Sequence, residues 1–283
     1  MEVMKPLSRR RRMIQFTLSV LVFLVVGPAL ILFATGYSFP DFLSVVRGNF
    51  LKTGGIYVSE IGSNSTVILD GKKEETSSFL NRNILFQRLS LEPHTITIKK
   101  PDYRPWEKDV VVYANRVTEI RPLLLKEEIE VLEITEQSFL DLLKNKLAEK
   151  QKVAEENEKT ENKNYDITLE SGDLVFSWKV LEDSPQYLCS LDRCESATTV
   201  MVPGDIVDFE WYPNRNDALV VLTGKAIFAV ELDSRNGRVS TEILKLSEVK
   251  MSSLGNKKTK TSLLVNNGLT YLHYAGKFFL LDF

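Results

Sequence analysis

The chain has 283 residues, with 36 Lys and Arg against 38 Asp and Glu for a formal net charge of −2. That balance leaves no global positive field of the kind that draws a protein to nucleic acid. Hydrophobic residues make up 43%, enough for one or two packed domains besides a membrane anchor.

Residues 1–12 form a short stub ending in Arg9-Arg10-Arg11-Arg12, with Lys5 upstream. The apolar run Ile14–Phe33 follows without a single charge. About 20 residues at roughly 1.5 Å rise match the roughly 30 Å hydrocarbon core of a bilayer. A backbone in lipid must satisfy its own hydrogen bonds, so a transmembrane helix is expected over 13–35, with the bilayer as its partner through residues 14–33. Gly27-Pro28 lies inside the run, where membrane helices tolerate such a pair. A cleaved signal peptide has a shorter apolar core, about 7–15 residues, and Phe33-Ala34-Thr35-Gly36 is a poor cleavage site. No Lys or Arg follows until Arg47, so the positive-inside rule places residues 1–12 in the cytoplasm and the chain beyond about residue 35 outside. The stub is too short for a folded signalling domain. In the juxtamembrane connector, 36–53, Phe39, Phe42, Leu43, Val45, Val46, Phe50 and Leu51 either lie at the lipid surface or pack beneath the next domain.

Residues 54–125 read as a small all-β domain. Ile56-Tyr57-Val58 and Thr66-Val67-Ile68-Leu69 are strands, and Asp70-Gly71 supplies the positive φ angles of a two-residue hairpin turn. Ile84–Leu89 is a third strand. Thr95–Lys99 alternates with period two, as in a sheet with one wet face. Pro101–Trp106 forms a turn with aromatic cover, and Lys108–Tyr113 and Thr118–Leu125 are the last strands. Short strands at this spacing suggest a compact sandwich. Asp70-Gly71, Tyr103 and Trp106 are read as fold-determining, an exposed Trp106 being the alternative as a contact residue.

This segment resembles the PEGA domain, a small β-sandwich of bacterial and archaeal envelope and surface proteins that often adjoins a membrane anchor. The resemblance runs from Gly55-Ile56-Tyr57-Val58 through Val67-Ile68-Leu69-Asp70-Gly71-Lys72 and Leu91–Ile98 to Tyr103-Arg104-Pro105-Trp106-Glu107-Lys108. Glu60–Thr66 stands where that family carries Pro-Glu-Gly-Ala. Asp102 stands where Gly usually precedes the Tyr, and Asp tolerates the left-handed conformation such a turn needs. The resemblance brings no catalytic residue; it implies an envelope location and an interaction role.

Residues 126–164 are rich in Glu, Lys and Asn and read as a charged helical linker. Thr135 can cap a helix, and Leu140, Leu143, Leu147 and Ala154 follow at helical spacing, with Lys150 breaking the stripe. Either one face packs on a neighbouring domain or the helix joins a short coiled coil. From Glu155 to Asn164 almost nothing is apolar, and mobility is expected there.

Residues 165–283 are β-rich again. Strands are expected at Leu174–Trp178, Ile206–Trp211, Ala218–Leu222, Ala226–Leu232, Ser262–Val265, Leu269–Tyr274 and Lys277–Leu281. Turns fall at Pro213–Asp217, Thr223-Gly224-Lys225, Asn266-Asn267-Gly268 and Ala275-Gly276. Phe209–Asn214 with the two strands after it looks like the inner part of a β-propeller blade of the TolB-like and WD40 groups. At about 40–45 residues per blade there is room for roughly three, so a β-meander or partial propeller is expected rather than a closed ring. The expected fold class is therefore mainly β with one transmembrane helix: a PEGA-like β-sandwich, a charged helical linker and a C-terminal β-meander or partial propeller.

Cys189 and Cys194 are the candidate disulfide. Export permits the bond, and it would close a hairpin in which Tyr187-Leu188 pairs with Thr198–Val202. His94 and His273 lack surrounding motifs and are read as structural. The chain has no nucleophile motif, phosphate-cradling Gly-rich loop or metal-ligand spacing. No catalytic, metal or cofactor-binding residue is assigned, and no cofactor is expected. The sequence points to a non-enzymatic, membrane-anchored extracytoplasmic protein that binds an envelope protein or polysaccharide. The alternative is an extracytoplasmic sensor or assembly subunit of a membrane complex.

Overall fold

The computed structural model describes residues 9–38, 51–155, 165–170, 172–179, 185–189, 194–233, 235, 240–249 and 260–283. Most of the connector, the stretch 156–164 and the tip of the Cys189–Cys194 loop lie outside the described residues. The protein is mainly β, with several antiparallel sheets, one long N-terminal apolar helix and one further helix.

Helix α1 (Arg9–Ala34) spans 26 residues, contains Pro28 and buries none of its side chains. It is consistent with a membrane anchor or a signal segment. Beyond it, β1 (Tyr37–Ser38) and β2 (Leu51–Lys52) pair antiparallel. The backbone N–H and the hydroxyl of Thr53 both donate to the Gly36 carbonyl, at 3.1 and 2.8 Å.

The next strands are β3 (Gly54–Val58), β4 (Thr66–Leu69), β5 (Lys73–Thr76), β6 (Ile84–Leu89), β7 (Pro93–Lys99), β8 (Trp106–Val111) and β9 (Val117–Ile120). They form two sheets, β6-β3-β9 and β5-β4-β7-β8. Ile56, Val58, Phe86 and Ile120 from the first sheet meet Val67, Ile96, Ile98, Trp106 and Val110 from the second in one core. Period-two burial on β7 and β8 puts alternate residues into that core. Asp70 and Gly71 both have positive φ, 52° and 64°, and Asp102 adopts φ 65°. The Asp70 carboxylate accepts from Thr95 N–H at 3.0 Å and meets His94 Nδ1 at 2.7 Å, which ties the hairpin turn to β7.

The strand expected over Thr118–Leu125 ends at Ile120. Pro122 has no N–H to donate to a ladder, and Leu123 and Leu125 instead enter the C-terminal core.

The C-terminal part contains β10 (Glu130–Glu133), α2 (Gln137–Glu155), β11 (Tyr165–Glu170), β12 (Asp173–Trp178), β13 (Ala197–Val200), β14 (Ile206–Trp211), β15 (Ala218–Thr223), β16 (Ala226–Glu231), β17 (Ser240–Lys245), β18 (Ser262–Asn266), β19 (Leu269–Tyr274) and β20 (Lys277–Asp282). Their sheets are β11-β12-β13, β14-β15-β16-β17 and β10-β20-β19-β18. The middle sheet is covered on both sides, so every residue of β15 and β16 is buried. Leu219, Val221 and Phe228 pack on Ile167, Leu174 and Phe176 of the first sheet. On the opposite face, Val220, Leu222, Ile227 and Ala229 pack on Leu263, Leu272 and Phe279 of the last sheet. Helix α2 then covers the far face of that last sheet, with Leu143 and Leu147 against Leu264, Tyr271 and Phe278. Within 126–164, then, β10 supplies an edge strand and α2 a covering layer, and both are built into the C-terminal stack.

Cys189 and Cys194 are disulfide-bonded, and their backbones form an isolated antiparallel bridge. The pairing of Tyr187-Leu188 with Thr198–Val202 is not formed. Gln186–Leu188 makes a turn of 3-10 helix, and Thr198 pairs with Phe176 of β12 instead. The neighbouring sheet needs β13 as its third strand, because Val200 completes the apolar face that meets Leu219 and Val221.

Candidate functional site

The most elaborate polar constellation lies where the sandwich meets the stack, and it is built by the ends of β8 and β16. On β8, Trp106, Lys108 and Val110 share the buried side of the strand. β16 is apolar from Ala226 to Val230 and ends on Glu231, which is 3% exposed. Trp106 Nε1 and the Leu123 N–H both donate to Glu231 Oε1 at 2.7 Å. Lys108 Nζ stands 3.8 Å from Oε2 of the same carboxylate, 3.4 Å from Asp233 Oδ2, and donates to the Asp233 carbonyl at 2.8 Å. Burial pushes the Glu231 carboxyl above the ordinary glutamate range; Lys108 and the two N–H donors pull it back only in part.

Two arginines clamp the crossover from one module to the other. Arg215 makes a two-pronged pair with Asp217, at 2.7 and 2.8 Å, and donates to the carbonyls of Pro122 and Arg121 at 2.8 and 2.7 Å. Burial works against its charge, but the bonds to Asp217 outweigh it and hold the guanidinium firmly protonated. Arg235 pairs with Asp233 and reaches back to the Glu119 carbonyl at 2.7 Å. Further out, Arg104 donates to the Glu242 carbonyl at 2.8 Å, and Lys126 pairs with Asp282 at 2.7 Å. A cleft of about 430 Å³ opens beside this network, walled by Tyr57 and Asn83 from the sandwich and by Tyr187, Asp217 and Asp233 from the stack. Burial pushes the Tyr187 phenol well above its ordinary value.

Chemically this is a fastening. Each buried carboxylate faces a cation or an N–H donor, which is the condition for burying charge without large loss. Among the described residues no group of three or more His, Cys, Asp and Glu is placed to hold a metal.

A second cluster sits under α2. Lys150, the residue that interrupts the apolar stripe, donates to Asp208 at 2.9 and 3.0 Å and to the Leu263 carbonyl at 3.0 Å, and pairs with Glu210 at 2.7 Å. Burial raises the Glu210 carboxyl against the pull of Lys150.

Trp106 is buried, so its indole serves the sandwich core and the junction together. His94 is held between Asp70 and Ser90. His273 Nδ1 lies 3.0 Å from the Lys260 carbonyl, and burial lowers its pKa. The disulfide closes the loop that follows Tyr187 and the buried Leu188. Glu231, Arg215 and Asp217 received no assignment from sequence. The one available signal was Glu231 itself, an ionisable residue ending a wholly apolar strand. No family model matches the chain, and no curated protein matches it either.

Proposed function

We propose that the chain is a non-enzymatic, single-pass membrane protein whose β modules stand outside the cytoplasm as one body and bind a protein or polymer of the cell envelope. The observation that carries this reading is a contrast. Helix α1 has 26 residues and buries none of them, whereas each module beyond it has its own core and the two are fastened by the pairs that Lys108 makes with Glu231 and Asp233. A long apolar helix that buries none of its side chains in protein is stable in lipid and unfavourable in water. The four arginines at its start favour a cytoplasmic amino end. The likeness of residues 54–125 to the PEGA domain supports the envelope assignment. That likeness includes the Asp70-Gly71 turn, which is left-handed at both residues, while Asp102, which stands where the family usually has Gly, adopts φ 65°.

Amine labelling of intact cells with an impermeant reagent, read by peptide mass analysis, tests the topology. Lys72 and Lys225 react while Lys5 stays protected until the membrane is opened. Reaction of Lys5 in intact cells with protection of Lys225 refutes it. For the binding role, the full chain in mild detergent sediments with isolated envelope fragments; a chain that stays wholly in the supernatant counts against it.

One observation favours a second reading, a sensor or assembly subunit that transmits through the span. Helix α1 is joined to the sandwich by the Thr53 bonds to Gly36 and by Arg88, whose guanidinium lies 4.1 Å above the Phe33 ring. Co-purification of a stoichiometric integral-membrane partner favours this alternative.

A further inference from the structure

We infer that the end of the sandwich next to α1 is a binding surface for anionic lipid headgroups, with Lys52, Lys72 and Arg88 as its phosphate contacts. The inference rests on the reading of α1 as a retained anchor, but not on which side of the membrane the modules occupy.

Register defines this end. Gly54 pairs with Leu89, Gly55 with Val117, and Pro93 with Val111, so these strand ends lie together. The Asp70-Gly71 turn joins them, because Asp70 bonds Thr95 and His94 at the start of β7. Thr53 anchors the same end to Gly36, two residues past the helix. The loops at this end therefore lie beside the point where the apolar segment stops.

Their chemistry suits a headgroup layer. Lys52, Lys72, Arg88 and Arg116 are exposed there. Of the carboxylates, Asp70 is engaged by His94 and Thr95, and exposed Asp109 accepts from the Thr95 hydroxyl, which leaves Glu92 as the exposed acid of the β6–β7 turn, so the four cations still outnumber the acids. Leu51 and Leu91, 57% and 43% exposed, add apolar side chains to the same edge. Basic heads on apolar stems beside exposed leucines are what an interfacial surface requires.

Arg88 is the most telling member. The β3–β6 ladder slips between Gly54 and Gly55, so Leu89 and Gln87 face consecutive residues and Arg88 is left over as a bulge. Its φ is +59°, a conformation that costs a non-glycine residue free energy. A bulge re-aims a side chain, and this one is carried over Phe33 in the last turn of α1. A guanidinium held against the final apolar ring of a membrane helix stands at headgroup depth, where it can meet phosphate oxygens in two-pronged fashion. Opposed charge at this end would repel an anionic leaflet; the observed excess of cations attracts it.

The test uses full-length protein in nanodiscs of phosphatidylcholine alone or mixed with phosphatidylglycerol, with amide hydrogen exchange as readout. Exchange at residues 70–73 and 88–92 is expected to slow about fivefold in the anionic discs, equivalent to about 1 kcal/mol. High salt or the K52E/K72E/R88E variant removes the slowing, whereas K225E in a distant turn does not. Equal exchange in both lipids, or slowing that survives charge reversal, overturns the surface. Alkaline carbonate extraction separates the two failures: a protein that stays in the pellet but shows no lipid dependence loses only the headgroup surface, and one that is stripped loses the anchor as well.

Discussion

Glu231 gives the sharpest test of how the two modules are joined. Its Oε1 accepts from both Trp106 Nε1 and the Leu123 N–H at 2.7 Å, and its Oε2 faces Lys108 at 3.8 Å. Glu231→Ala leaves two buried donors without an acceptor and strips Lys108 of one counter-charge. Breaking a buried pair by removing one partner costs about 3–5 kcal/mol, and two orphaned N–H groups at about 1–3 kcal/mol each give about 2–6 kcal/mol, which brackets it. Glu231→Gln keeps the Oε1 acceptor for Trp106 and Leu123 but sets an amide NH2 opposite Lys108 in place of Oε2, so it costs about 1–3 kcal/mol, less than the alanine variant.

Urea unfolding in mild detergent, followed by tryptophan fluorescence, measures the difference, since Trp106 reports directly on the junction. The parent unfolds in one transition through the shared interface; Glu231→Ala splits it, because each module retains its own core. Glu231 has its folded pKa raised by burial. The folded state therefore holds the proton at pH values where the unfolded state has lost it. The stability this confers is full below the ordinary glutamate value of 4.5 and is lost as pH rises through the folded value. Glu231→Gln should flatten that limb of the profile. If both variants match the parent within about 0.5 kcal/mol, the junction is held by something other than this carboxylate and the reasoning fails.

Three further outcomes are expected. Lys150→Met costs about 2–4 kcal/mol by leaving Asp208 and Glu210 without their shared cation. It also speeds amide exchange in α2, and the deficit shrinks as pH falls and the Glu210 carboxyl, its pKa raised by burial, takes up a proton. Gly54→Ala drives a Cβ into the carbonyls of Tyr113 and Arg116 and costs about 3 kcal/mol, whereas Gly71→Ala at φ +64° meets nothing nearby and costs about 1 kcal/mol in backbone strain. Thermal melts separate the two. Reducing Cys189–Cys194 reopens a loop of sequence separation 5 and lowers stability by about 2 kcal/mol in the loop-entropy account, read as a midpoint shift with reductant.

The long N-terminal helix was legible because twenty uncharged apolar residues follow four arginines without a break. The β7 strand was legible from its alternation, and the Asp70-Gly71 turn from two residues that accept positive φ, as both do; the turns at Asn267-Gly268 and Ala275-Gly276 also have positive φ at both positions, Ala275 against the preference of its Cβ. The unbroken apolar runs Ala218–Leu222 and Ala226–Val230 mark strands covered on both faces, and both faces are filled. The end of β9 was misjudged because Leu123-Leu124-Leu125 looks like strand whichever core it enters, and no local signal says which one.

What the amino-acid order determined by itself was local: where the chain is apolar without relief, where it alternates, and where it turns. These depend on a few neighbouring side chains and on backbone sterics. Only the tertiary structure decided that β10 crosses the chain to pair with β20, that Lys150 is a partner rather than an interruption, and that Glu231 bolts one module to the other. Glu231 and Trp106 stand 125 positions apart. A charge that looks costly in its own strand becomes favourable only when a distant strand supplies its donors, and periodicity within either segment carries no trace of that meeting.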